Sequence, residues 1–195
     1  MNNSASRTNT LYLNGIAVGE FEATGERETD MRTALQILKD KGLHREVTPI
    51  QAMFRQALSF ATTAAYLHKT DLIKAPRNGL SIVPFVVNST FSIELYLKTL
   101  GQIHNKPMKG HHLLELFDLL PNEAHQGIQA VLPDCRQGWG PREVVDLRTC
   151  ISELNNAFVE WRYCYETNRT NEIRFDRMIF VMKVLDEACR ASGRI

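Results

Sequence analysis

The sequence lacks the features that mark most specialised protein classes, and each absence narrows the reading. The four cysteines, Cys135, Cys150, Cys164 and Cys189, form no CxxC pair and show no regular spacing to histidine. Cys150 and Cys164 fall fourteen positions apart on one expected helix, too far to bridge to each other. A disulfide framework and a zinc site are therefore excluded, and all four are expected to be reduced thiols, buried or half-buried. No GxGxxG, GxxxxGK[ST], HExxH or GxSxG pattern occurs, so dinucleotide, P-loop, zincin and hydrolase chemistry have no foothold. Neither a cofactor nor a metal is expected. Adjacent His111 and His112 do not change this, because neighbouring side chains on a regular helix diverge. Charge is nearly absent in the net: the formal value is +1, which argues against a strongly basic nucleic-acid binder but leaves room for a local basic patch. Long apolar runs are missing too. The longest, Leu80 to Val87, is far short of about 20 residues and contains Pro84, so no membrane span is expected. The N-terminal MNNSASRTNT has no signal-peptide design, and a cytoplasmic protein is expected. No internal repeat or low-complexity tract is visible.

What is present is helical periodicity. From Leu147 to Asn168 the large apolar residues Leu147, Ile151, Leu154, Phe158, Trp161 and Tyr165 recur at alternating spacings of four and three. That pattern lines one narrow helix face, a seam for partner helices. Arg162 sits inside the seam, where a cation is costly unless an anion meets it. Glu166 follows one turn on.

Read in order, residues 1–46 form an N-terminal arm and 47–195 a helical bundle. The arm opens with a β-hairpin, Leu11–Leu13 and Ile16–Phe21 about an Asn14-Gly15 turn, because both turn residues tolerate positive φ. An amphipathic helix, Glu28–Lys41, follows with Met31, Leu35 and Leu38 as its stripe and Gly42 as its stop. Thr48-Pro49 opens a long helix to about Thr70, carrying Met53, Ala57, Phe60, Ala61, Ala64 and Leu67. Asp71–Gly79 is a loop, and Ser81 to His104 is a central helix, apolar nearly all round in its first half. A short helix, His111–Leu120, and another, Glu123–Leu132, precede a long loop from Pro133 to Gly140. Pro141 opens the seam helix. A last helix, Ile173–Ser192, stacks Ile173, Phe180, Val184 and Ala188, with Arg174, Arg177, Lys183 and Arg190 as a basic outer face.

Few residues carry chemistry by themselves. Glu94 and Lys98 stand at i,i+4 in the favourable order, which reads most simply as a solvated ion pair contributing under ~1 kcal/mol. His111 reads as a residue capping or packing at a helix start. His44, His68 and His125 lie in or beside turns and carry no functional weight. Arg162, Arg169, Arg174 and Arg177 near Tyr163 and Tyr165 are either two ordinary solvated helix ends or a nucleic-acid surface.

Two stretches together resemble the HEPN family of small helical domains associated with nucleotide and RNA biology. The first, FVVNSTFSIELYLKTLGQIHNKPMKGHHLLELFDLLP from Phe85 to Pro121, is similar to the family's ELxLK-like helix followed by a G-H-[DH]-L turn and a short leucine-rich helix. The second, AFVEWRYCYE from Ala157 to Glu166, is similar to its aromatic-and-arginine segment. The likeness spans about residues 48–192 and implies an up-and-down bundle of four to five helices, often a homodimer. With the arm, the expected fold is mainly α, a HEPN-type bundle carrying a small hairpin-plus-helix appendage. Ribonuclease members place an R-x4-6-H motif in a cleft at the dimer interface. There arginine neutralises the scissile phosphate while histidine moves a proton in attack by the ribose 2′-hydroxyl. Here Arg162 matches the arginine, but Asn168 stands six residues on where histidine is required. Asparagine can hydrogen-bond a phosphate yet cannot act as acid or base near neutral pH. Glu94 and Lys98 match the family's polar pair and His111 its turn histidine.

The candidate ligand- or phosphate-binding set is thus Arg162, Glu94, Lys98, His111, Tyr165 and Asn168. Three functions stay open: a dimeric module that binds RNA, a nucleotide or a partner protein without cleaving it; a metal-independent ribonuclease of toxin or phage-defence type, with His111 as substitute proton-transfer group; and an assembly protein whose arm and seam build an oligomer.

Overall fold

The computed structural model describes residues 7–137, 146–155, 161 and 174–195. The expected seam residues Phe158 and Tyr165, the candidates Arg162 and Asn168, and Pro141, Tyr163, Cys164, Glu166, Arg169 and Ile173 lie outside the described residues. The chain is mainly helical with one small β-hairpin, in two compact units, Met1–Val47 and Thr48–Ile195.

In the first unit β1 (Arg7–Leu13) pairs antiparallel with β2 (Ile16–Ala23). Asn14 and Gly15 take the positive φ values, 51° and 81°, that the two-residue turn demands. Both strands run further than their apolar cores suggest, because Thr8 to Thr10 find ladder partners in Glu20 to Glu22. Helix α1 (Arg27–Asp40) is tied to the hairpin's end through Asp30, whose carboxylate accepts from Thr24 N at 2.7 Å and Thr24 Oγ1 at 2.8 Å. Those bonds hold the Asp30 pKa below the usual carboxylate range. Gly19 lets β2 and α1 meet closely: a Cβ there would fall 2.8 Å from Ile37.

In the second unit α2 (Pro49–Leu67) begins on a full capping box, in which Thr48 and Gln51 exchange side-chain-to-backbone bonds. It ends earlier than the apolar pattern predicts, passing into one π turn, His68–Leu72. The Asp71 carboxylate accepts from Thr70 Oγ1 at 2.7 Å and from Ser81 Oγ, closing the loop onto the next helix. These bonds lower the Asp71 pKa, Ser81 contributing most.

Helix α3 (Ile82–Ile103) is the centre of the unit, packed against α2, against α4 (Leu113–Asp118) and against α7 (Phe175–Ala191). By length and composition this helix is apolar enough to cross a membrane, contrary to the expectation from runs alone, but most of it is buried inside the bundle. Three of its buried hydroxyls bond back to the helix, Thr90 to Val86 O at 2.9 Å, Ser92 to Ser89 O at 2.9 Å and Thr99 to Leu95 O at 2.8 Å, whereas Ser89 Oγ has no partner among the described residues. Gly101 allows the chain to turn back on itself: Lys106 N reaches Gly101 O at 2.8 Å, and an added Cβ would stand 2.6 Å from Lys106 O.

Helix α4 is shorter than expected, His111 and His112 standing before it, with His112 in extended backbone at its N-cap. Helix α5 (Asn122–Arg136) runs through Pro133, where a loop was expected, because burial of Leu132 and Cys135 holds the last turn. Helix α6 (Leu147–Leu154) carries the described part of the seam: Leu147, Ile151 and Leu154 are buried, and Trp161 packs on the core from a partly buried position. Arg148 forks onto Asp118 at 2.9 and 2.7 Å, joining α6 to α4.

Of the basic outer face expected on α7, Arg174, Lys183 and Arg190 are exposed, and Arg177 is the exception. Arg177 is buried and paired with Glu153 of α6, Lys183 is within 3.5 Å of Cys135 O, and Arg190 pairs with Asp186. Arg177 alone of the four is withdrawn from water, while Arg190 stays exposed with its guanidinium against the Phe54 ring. Cys135, Cys150 and Cys189 are free and buried as expected, and burial pushes the Cys150 thiol up to about 11.

Two outcomes follow for stability. Gly101→Ala should cost about 1–3 kcal/mol, read as a lower urea midpoint, because the carbonyl it would strike is backbone and cannot swing aside. His68 lies 5.6 Å from the Phe85 ring, and burial lowers its pKa from 6.5. The unfolded chain therefore takes up this proton first, and stability present above about pH 6.5 should fall as pH drops below it. His68→Phe should flatten that slope, measured by denaturation at about pH 7.5 and about pH 5.5, roughly one unit either side of an ordinary histidine pKa.

Candidate functional site

The described candidates converge. Glu94 lies mid-way along α3 with its side chain 2% exposed, in a region where an apolar residue would be ordinary. Lys98, one turn on, reaches Glu94 Oε1 at 2.7 Å with its side chain 17% exposed. The reading of this pair as solvated is wrong. Both charges are largely withdrawn from water, where their attraction is stronger but their desolvation is costly.

His111 completes the cluster from the other side of the turn. The chain reverses after α3 at Gly101, passes Pro107 and reaches Gly110, whose φ of 97° redirects it. His111 then brings Nδ1 to 3.0 Å from Glu94 Oε1, while 71% of its side chain stays exposed. It neither caps the helix nor packs over it, as its sequence position suggests. A carboxylate can only accept, so Nδ1 is the donor in this contact, and Nε2 makes no hydrogen bond among the described residues. Glu94 and His111 are 17 positions apart, across the end of α3 and the turn after it, and it is the chain reversal that brings imidazole and carboxylate together.

The two oxygens of Glu94 are unequal. Oε1 takes both the ammonium and the imidazole, whereas Oε2 is buried and has no hydrogen-bond partner among the described residues. After His111 and His112, α4 begins at buried Leu113, and Leu114 N donates to Asn155 Oδ1 at 2.9 Å, tying α4 to the end of α6. The arrangement can do two things chemically. It presents a fixed imidazole and the remaining N–H groups of a held ammonium to an anionic or hydroxyl-rich ligand. It also gives His111 the carboxylate-oriented geometry of a proton-transfer group.

Of the other candidates, Arg162, Tyr165 and Asn168 lie outside the described residues. Among the described residues no group of three or more His, Cys, Asp or Glu side chains is gathered as a metal-ligand set. His68, given no weight, is a ring stacked toward Phe85, and His125 packs edge-on to Phe117 at 4.8 Å.

Compared with models of known protein families, with curated proteins and with solved structures, the chain matches none.

Because Glu94 and Lys98 share a shielded contact, Lys98→Met should destabilise the protein by about 1–3 kcal/mol, beyond the ~0–1 kcal/mol of an exposed pair. His111→Ala should cost under about 0.5 kcal/mol, its side chain being mostly exposed. Urea denaturation of both variants checks the ordering; equal, negligible losses would mean that the pair is solvated after all.

Proposed function

We propose that this protein is a HEPN-like helical module that binds RNA or a nucleotide without cleaving it. The observation that carries the reading is the buried Glu94 carboxylate holding exposed His111 and shielded Lys98 on one oxygen. A carboxylate in a core helix is a poor way to gain stability, since a well-packed apolar side chain of similar volume would do as well or better. Its role is to hold two nitrogen groups in fixed positions, and fixed nitrogen groups suit phosphate and ribose oxygens. On this reading Arg162, Tyr165 and Asn168 add a phosphate contact, a stacking ring and an amide, and the protein acts as a homodimer. The lack of a histidine six residues after Arg162 is what favours binding over cleavage.

One observation favours a second reading, a metal-independent ribonuclease: the His111 imidazole is oriented by a carboxylate, as a general base is. There His111 Nε2 would take the 2′-hydroxyl proton as that oxygen attacks the adjacent phosphate.

One gel separates the readings. Purified protein, Arg162→Ala and His111→Ala are incubated with labelled total RNA in EDTA at low salt. The binding reading expects retardation without cleavage, weakened about tenfold in Arg162→Ala through loss of one charged contact. Cleavage abolished by His111→Ala establishes the second reading. With neither retardation nor cleavage, both fail.

A further inference from the structure

Glu94 faces one side of α3; Tyr96, two positions on, points about 200° away around the helix. On that far side Tyr96 packs against Phe54 of α2 at 5.9 Å between ring centroids. Above this pair α2 and the end of α7 border an open cleft of about 510 Å³, lined by Gln51, Phe54, Arg55, Leu58, Arg190 and Ile195.

Its two charged side chains, Arg55 and Arg190, are both cations. Arg190 is held on two sides: its guanidinium carbon lies 5.1 Å from the Phe54 ring centroid, and Nε donates to Asp186 Oδ2 at 2.9 Å. The ring and the carboxylate fix the plane of the guanidinium and leave its Nη groups uncommitted among the described residues. The Asp186 contact also raises the Arg190 pKa, so the group is a permanent cation. Arg55 is exposed and makes no hydrogen bond or ion pair among the described residues. Gln51 uses Oε1 to accept from Thr48 N, which leaves its amide NH₂ as a donor. Gln51, Arg55 and Leu58 stand at spacings of four and three, on one face of α2. Leu58 and Ile195 supply apolar wall and pack against the core.

We propose that this cleft is a binding site for a small phosphate monoester, separate from the Glu94 face and independent of the function proposed there. Two guanidinium forks and one amide match the three terminal oxygens of a phosphate monoester better than the two of a carboxylate. The volume suits a ligand of nucleotide size, its organic body lying against Leu58 and Ile195.

Titration calorimetry of the full chain at low salt with AMP, inorganic phosphate and benzoate tests this. AMP should bind, inorganic phosphate more weakly for want of an organic body, and benzoate weakest. Arg55→Ala, at an exposed position that leaves folding intact, should weaken AMP at least about fivefold through loss of one charge-assisted contact. Arg190→Met paired with Asp186→Asn, which leaves no unpaired charge, should abolish binding. Arg32→Ala, which removes an exposed cation of the first unit, should leave it unchanged. Absence of AMP binding, undiminished binding by Arg55→Ala, equal loss in Arg32→Ala, or a preference for benzoate would each overturn the proposal. Should the double variant fail to fold, Arg55→Ala decides alone.

Discussion

The second unit is arranged around α3, and burying α3 means burying the carboxylate of Glu94. Its nearest compensation is local, the Lys98 ammonium one turn along; the second comes from the chain reversal that returns His111 to the same oxygen. The reversal depends in turn on a residue with no side chain. Lys106 N bonds to Gly101 O, and the Lys106 carbonyl oxygen stands where a Cβ at Gly101 would press. Charge burial, turn and site are therefore one construction, in which a single carboxylate sets where the loop to α4 must lie.

The same helix gives the bundle two different sides. Towards α4 it offers a carboxylate with paired nitrogen groups. Towards α2 and α7 it offers Tyr96, whose buried hydroxyl has its pKa raised by burial and then by the neighbouring charge of Asp186. Asp186 also holds Arg190 in place over Phe54. Each side thus uses a carboxylate to aim a cation, and about 200° of helix rotation keeps the two apart.

The first unit is built on different terms. None of its described residues is buried, and Met31 and Leu35 of α1 remain exposed. What orders it is polar: Asp30 on Thr24 at the junction of hairpin and helix, and Lys41 Nζ on Val18 O at 2.5 Å. A two-stranded hairpin with one helix has too little apolar surface to form a core of its own.

Periodicity and turn chemistry, which act over a few residues, were enough to specify the helical class, the Asn14-Gly15 hairpin, the Thr48 opening of α2 and the buried face of Leu147, Ile151 and Leu154. Those features depend on side-chain spacing and local φ preference, which a linear string carries. Helix ends were less legible: α2 yields to a π turn at His68, and α5 continues through Pro133 because two buried side chains outweigh one missing N–H. The environment of charge could not be read at all. An i,i+4 Glu–Lys pair has the same spelling whether it is bathed in water or shielded in a bundle, and Arg177 looks like its exposed neighbours on α7 until Glu153 of α6 arrives to receive it. The sequence determined which segments coil and which faces seek the core. Tertiary structure alone decided which charges lost their water, because desolvation depends on what packs nearby in space.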